Sequence, residues 1–291
     1  MIALRAPAKI NLSLRVLGRR PDGYHDLESV FQMVGLYDDV TVRPRRRGIV
    51  VSVEGADLST GPGNLAYDAA AALAQAVPGA PGAVIDLVKR IPLGAGLGGG
   101  SSDAATVLIG LNRLWGLHWP RRRLAEVGAK LGSDVPFFFF GPAAWVTGRG
   151  ERVTPTPRLR LSAAGPVPGW AVLVNPGFPV STGWAFEALD KVLRLTNQRA
   201  AYKMGRFSRA PSAAAWSTAN DLEQVTAARH PVIEEIKMRL LKAGAGIARM
   251  SGSGPTVFGT FATRAEALEA CQALLPSWRR WVVRVLKRAP W

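Results

Sequence analysis

The run Pro92-Leu93-Gly94-Ala95-Gly96-Leu97-Gly98-Gly99-Gly100-Ser101-Ser102 is the part of this chain whose composition most directly suggests a chemistry. Without Cβ atoms, backbone N–H groups approach an anion closely, and a helix beginning directly after the run adds partial positive charge and unpaired donors. The chemistry such a loop serves is phosphate binding. A merely flexible turn would account for the glycines but not for Ser101-Ser102 at a helix start. No Gly-Lys-Ser/Thr closes the run as in a Walker A loop. Gly94 to Gly99 fits a dinucleotide fingerprint only loosely, in a chain that does not open as a βαβ repeat. A second, smaller glycine turn, Gly252-Ser253-Gly254, would again allow close backbone approach to a phosphate or substrate, although an ordinary hairpin turn competes with that reading.

These loops need elements to hold them. From Ile10, apolar residues alternate strictly: Ile10, Leu12, Leu14 and Val16 fall on one side of a strand, Lys9, Asn11, Ser13 and Arg15 on the other. Lys9 and Asn11 therefore share a face. Pro21-Asp22-Gly23 makes a turn, and strand-like runs at 39–43 and 49–54 flank an Arg-rich loop. Asn64 is placed to cap an Ala-rich helix ending near Ala76, and 83–88 reads as the strand that leads into the long glycine loop. The helix after that loop carries Ala104, Val107, Leu108, Leu111 and Trp115 at helical spacing, with Ser101 or Ser102 suited to cap it. A further helix is expected over 120–131, which puts Asp134 at a helix exit.

The Pro- and Gly-rich stretch 154–169 has no clear periodicity and marks a domain boundary, with domains over 1–158 and 159–291. Beyond it the order is strand (170–174), helix (182–195), an irregular basic stretch at 197–217, helices around Asp221 and Ile233, strands near Ala248 and Thr256, a helix from Arg264 and a strand near Val282. Setting aside the extra helices, this is β-α-β-β-α-β, a split ferredoxin-like arrangement. The 197–217 stretch reads as a mobile insertion.

The chain has 291 residues, 48% hydrophobic and 20% charged, which is the composition of a folded protein with two cores. Its formal charge of +16 attracts anions. Arginine is scattered in short clusters such as 45–47 and 121–123, without a basic tail or interleaved aromatic repeat, so nucleic acid is not the expected partner. One cysteine, Cys271, excludes an internal disulfide, and three histidines give no pattern for a zinc site or a Cys-His nucleophile. No protein-held metal site is expected. With no signal-like or membrane-spanning segment, the expected location is cytoplasmic.

The long glycine loop resembles the second motif of the GHMP kinases. Pro7-Ala8-Lys9-Ile10-Asn11-Leu12, Arg20-Pro21-Asp22-Gly23-Tyr24-His25, Gly132-Ser133-Asp134-Val135-Pro136-Phe137, Asn220-Asp221-Leu222-Glu223 and Met250-Ser251-Gly252-Ser253-Gly254-Pro255-Thr256-Val257-Phe258 are similar, in order, to the GHMP kinases that act on 4-diphosphocytidyl-2-C-methyl-D-erythritol. The resemblance implies an α+β, two-domain GHMP kinase fold. Its N-terminal α/β domain would be ribosomal-protein-S5-domain-2-like, and its C-terminal domain a ferredoxin-like split βαβ with extra helices. It also implies ATP, with Mg2+ carried by the nucleotide, as phosphoryl donor to the 2-hydroxyl of that substrate in the non-mevalonate isoprenoid route. The expected partners are these small molecules alone, with no nucleic acid and no membrane, and the protein a monomer or weak homodimer.

By the same resemblance, residues 92–102 bind ATP, Asp134 accepts the proton of the substrate hydroxyl, and Lys9 stands beside it. The pairing is physically reasonable, because a carboxylate that must stay ionised among phosphates needs a nearby cation; Lys9 could also polarise the hydroxyl or the moving phosphoryl group. Asn11, on the strand face it shares with Lys9, would reach the same pocket and bind the hydroxylated or phosphorylated part of the substrate. Tyr24 and His25 are implied to bind cytosine, one by stacking and one along the base edge. Phe186 is the candidate second wall, with Thr182 beside it, although Ser181-Thr182-Gly183 departs from the Pro-Thr-Pro of many relatives and Trp184 could serve instead. Gly252, Ser253 and Gly254 would line the substrate. Two other readings stay open: a GHMP kinase acting on a simpler alcohol, and a basic nucleic-acid-binding protein on a kinase scaffold.

Overall fold

The computed structural model describes residues 1–156, 168–195 and 219–291. The boundary expected at 158/159 and the insertion expected at 197–217 lie outside the described residues. Two strands dominate the first half. β1 (Ile2–Arg19) and β2 (His25–Arg45) pair antiparallel over almost their whole length, from Ile2 opposite Val42 to Arg19 opposite His25. Sequence periodicity finds only the end of β2. Its middle, Val30 to Val34, is buried on both faces, so apolar and polar residues do not alternate there.

β3 (Ile49–Glu54), β4 (Gly82–Val88), β5 (Ala143–Gly148) and β6 (Arg152–Pro155) complete the first sheet in the order β3-β4-β2-β5-β6, with β1 added against β2. α1 (Leu65–Ala76) is capped as expected, the Asn64 side chain accepting from the Ala66 N–H at 2.9 Å; such a cap contributes about 0.5–2 kcal/mol. α1 and α2 (Gly99–Leu114) pack together, and α2 lies on β1 and β2 through Ala104, Val107, Leu108 and Leu111. α3 (Arg121–Gly128) is shorter than the expected 120–131, and Asp134 follows it in a loop before the single turn α4 (Phe137–Phe140). Three phenylalanines of that turn are fully buried and anchor the loop carrying Asp134.

The second sheet contains β7 (Trp170–Asn175), β8 (Ala248–Met250), β9 (Val257–Phe261) and β10 (Arg279–Arg284), all antiparallel in the order β10-β7-β9-β8. With α5 (Thr182–Leu195) and α8 (Arg264–Gln272) as crossovers, this is the split βαβ order expected; α6 (Glu223–Arg229) and α7 (Val232–Lys242) are the extra helices. The apolar side of β1 joins the two halves. Ala8, Ile10 and Leu12 share a core with Ala171, Leu173 and Phe258 of the second sheet. β1 thus faces the second sheet with its apolar residues, and a cavity with Lys9 and Asn11.

Candidate active site

A cavity of about 840 Å3 opens between the two halves, and both contribute to its walls. Lys9 reaches it from β1 with only 4% of its surface exposed. Its ammonium donates to Asn11 Oδ1 at 2.6 Å, stands 3.3 Å from Asp134 Oδ2 and lies 4.3 Å from the centre of the Phe31 ring. A buried cation needs such partners to remain charged. Asn11 is itself fixed, its Nδ2 donating to Ser29 Oγ at 2.9 Å. The structure therefore gives Asn11 a definite task not evident in its sequence position: it orients Lys9. Asp134 is more open, its side chain 31% exposed at the cavity, so a hydroxyl group can approach it.

The glycine loop forms the adjacent wall, with the Lys9 N–H donating to Leu97 O at 2.9 Å. Pro92 through Ser101 line the cavity; Ser102 does not, because its side chain points into the core and is fully buried. Neither serine caps the helix. The N-cap is Gly98, at φ 68° in the left-handed region and without a side-chain cap. The first helical bond runs from the Ser102 N–H to Gly98 O, at 2.9 Å, and leaves the N–H groups of Gly99, Gly100 and Ser101 without acceptors inside the helix. A side-chain cap would have consumed one of those donors, so a glycine cap suits an anion site better than the expected serine.

Close packing against other protein segments also requires glycine here. A Cβ on Gly96, at φ 74°, would lie 2.0 Å from the Ser251 carbonyl oxygen, and one on Gly98 would lie 2.9 Å from Lys9 Cγ. The small turn at 252–254 is thus seated directly on the long loop. Ser251 Oγ donates to Gly96 O at 2.9 Å, and the Asn11 N–H donates to Ser251 Oγ at 3.2 Å. Gly252 and Ser253 line the cavity. Gly254 does not; it packs against Met250 behind the turn.

At the far end, Tyr24 is 54% exposed on the rim, with the Arg149 guanidinium 4.6 Å from its ring centre. His25 stacks on Phe186 with ring centres 4.8 Å apart and planes 18° from parallel. Both line the cavity, whereas Trp184 lies outside it, beneath Arg229. Phe186, not Trp184, is therefore the available aromatic wall from α5. His25 Nε2 lies 3.1 Å from Asp190 Oδ1, and a carboxylate only accepts, so Nε2 carries a hydrogen; in the neutral imidazole Nδ1 is then the acceptor. Thr182 Oγ1 and Ser253 Oγ are hydrogen-bonded at 3.1 Å, joining α5 to the small turn.

Sequence reasoning missed Asp190, Arg149 and Ser251. Asp190 follows Phe186 by four residues, so a helical reading of 182–195 could have placed it on the same face. The Asn220-Asp221-Leu222-Glu223 run acts as a brace. Asn220 Nδ2 donates to the carbonyls of Met250 (2.9 Å) and Gly252 (2.8 Å), Glu223 accepts from the Met250 N–H (2.7 Å), and Asp221 accepts from the Val16 N–H (2.7 Å). It holds the small turn and β1 in one frame. Among the described residues no helix is long and apolar enough to cross a membrane.

The model of the GHMP kinases N terminal domain matches residues 64–142 and that of the GHMP kinases C terminal matches residues 187–278. The 4-diphosphocytidyl-2-C-methyl-D-erythritol kinase of Geobacter sulfurreducens is 45% identical over 287 residues, covering 98% of this chain and 99% of its own. That of Geobacter metallireducens is 47% identical over 285 residues, covering 98% of each. A crystal structure of 4-(cytidine 5'-diphospho)-2C-methyl-D-erythritol kinase superposes with a TM-score of 0.76 at 35% identity, over 97% of this chain and 98% of that one. A homoserine kinase from Cytophaga hutchinsonii shares the fold, with a TM-score of 0.71 at 20% identity and coverage of 98% and 96%. Relatives this similar over their full length show that the chain belongs to the 4-diphosphocytidyl-2-C-methyl-D-erythritol kinase family of the GHMP kinases.

Proposed function

We infer that this protein transfers the γ-phosphoryl group of ATP to the 2-hydroxyl of 4-diphosphocytidyl-2-C-methyl-D-erythritol, giving the 2-phosphate and ADP. The observation that carries this reading is the Lys9 to Asp134 pair at 3.3 Å, lining the same cavity as the glycine loop and directly beside it. The N–H groups of residues 99–101 would hold the phosphates of ATP, and a magnesium ion carried by the nucleotide would supply further neutralisation of their charge. The substrate hydroxyl sits at Asp134. As its oxygen bonds to the γ-phosphorus, the bond from that phosphorus to the β,γ-bridging oxygen breaks, and Asp134 takes the hydroxyl proton. Lys9 neutralises charge on the moving phosphoryl group. For a loose transition state, alignment and neutralisation contribute as much as proton removal.

The base end of the substrate then extends toward Tyr24, His25 and Phe186. Tyr24 and Phe186 offer faces for stacking, and Nδ1 of His25 offers an acceptor for the exocyclic amine of cytosine. Thr182, Gly252 and Ser253 line the path between. Residues 1–158 form the domain that binds ATP, and residues 159–291 supply the rest of the acceptor site. The net charge of +16 draws two anionic substrates into one cleft, and a cytoplasmic enzyme acting on small molecules is the setting this chemistry fits. A coupled assay of ADP release with this substrate, homoserine and mevalonate tests the reading. Turnover with the first alone is expected; turnover only with another alcohol would overturn it.

A further inference from the structure

Lys89, Asp38 and Asp103 form a buried ionic cluster that the transfer chemistry does not use. All three are almost completely excluded from solvent, and Lys89 lies at the edge of the cavity. The Lys89 ammonium contacts Asp38 Oδ2 on one side and Asp103 Oδ2, at 2.5 Å, on the other. Asp38 holds more than the ammonium. Its Oδ1 accepts from the Arg90 N–H at 2.5 Å and the Ile91 N–H at 2.8 Å, the last two residues before the glycine loop begins at Pro92. Asp103 lies in the second turn of α2, the helix that ends the loop. One cation thereby ties the entry of the loop, its exit and the β2 strand together.

Burial of three charges is an expensive way to gain stability, since a well-packed apolar set of similar volume commonly does as well or better. What ion pairs of fixed length add is geometry. Loop donors serve an anion only if the backbone at 92–98 and the helix start at 99 keep their relative positions, and glycines give that stretch little stiffness of its own. We propose that Lys89, Asp38 and Asp103 are positioning residues, a clamp that sets the two ends of the glycine loop and so determines how well its N–H groups fit the phosphates of ATP. The proposal rests on the reading that this loop binds ATP.

Binding of a non-hydrolysable ATP analogue and of the cytidyl substrate to the full chain, each by isothermal titration calorimetry, tests it. Asp103→Leu is expected to weaken the analogue by roughly tenfold or more while leaving the cytidyl substrate unchanged. Asp103→Asn, which keeps an oxygen for Lys89, is expected to restore most of the analogue's affinity. If Asp103→Leu does not fold, the triple variant Asp38→Asn/Lys89→Leu/Asp103→Leu removes every buried charge and should show the same selective loss. Unchanged analogue binding alongside a lowered Tm would overturn the clamp, as would an equal loss for both ligands. If the parent chain itself failed to bind the analogue, the reading of the loop would fall and the clamp with it.

Discussion

Lys9 Nζ is held 3.3 Å from Asp134 Oδ2 by a strand on one side and a phenylalanine-anchored loop on the other, so two independent parts of the fold converge on one ion pair. If Asp134 is the proton acceptor, Asp134→Asn keeps the shape and removes the basicity. The turnover number should fall by about 10²–10⁴, with KM for both substrates little changed. A steady-state assay checks this, and a near-normal rate would remove Asp134 from the chemistry.

Asn11 acts one step back from the reaction. Asn11→Ala removes the 2.6 Å acceptor of Lys9 and leaves Ser29 without its donor. A buried hydrogen bond to a charged group is worth about 1.5–3 kcal/mol, so both stability and turnover should drop. Urea denaturation alongside the rate assay would separate the two effects. Asn11→Asp should be less harmful to stability than Asn11→Ala, because it supplies an acceptor of the same reach.

The base end predicts a loss for one substrate only. Tyr24→Ala and Phe186→Ala each remove a stacking face worth roughly 1–3 kcal/mol, which should raise KM for the cytidyl substrate and leave KM for ATP unchanged. Trp184→Ala, outside the cavity, should alter neither. Equal losses for both substrates would indicate a folding defect instead.

Gly96→Ala should be severe for two reasons that add. The left-handed backbone costs about 1–2 kcal/mol for an alanine, and the new methyl group would overlap the Ser251 carbonyl. The variant should lose both thermal stability and ATP binding. A Tm equal to that of the parent would contradict the packing of the small turn on the long loop.

Burial pushes the Asp103 carboxyl up to about 7, against the pull of the Lys89 ammonium, and Asp38 adds to the rise. In the unfolded chain the group titrates at its ordinary value near 3.8. The folded state therefore holds this proton longer. Its contribution to stability is complete below the unfolded value and is lost as pH rises through the folded one. Asp103→Asn removes the titration, so its stability relative to the parent should improve from pH 4 to pH 8. Urea denaturation across that range tests the sign, and a constant difference would contradict it.

The sequence made the glycine loop, the shared face of Lys9 and Asn11, and the strand and helix order after Trp170 legible, because each is a local pattern. β2 was half hidden, since a strand buried on both faces has no alternation to read. Ser101 and Ser102 looked like caps by type, yet the helix starts at Gly99 and keeps its first donors free. Contacts between distant segments were beyond periodicity: His25 with Asp190, Ser251 with Gly96, Lys89 with Asp38. Each depends on how the two sheets meet across β1.

The site of phosphorylation is the most direct test of the account, because it reports the geometry around Asp134 and the identity of the acceptor together. In a 2-C-methyl sugar alcohol the second carbon bears no hydrogen. A proton-coupled 31P NMR spectrum of the product formed from ATP and 4-diphosphocytidyl-2-C-methyl-D-erythritol should therefore show the new phosphomonoester as an unsplit line. A line split by neighbouring carbinol protons, or no new phosphomonoester at all, would contradict it.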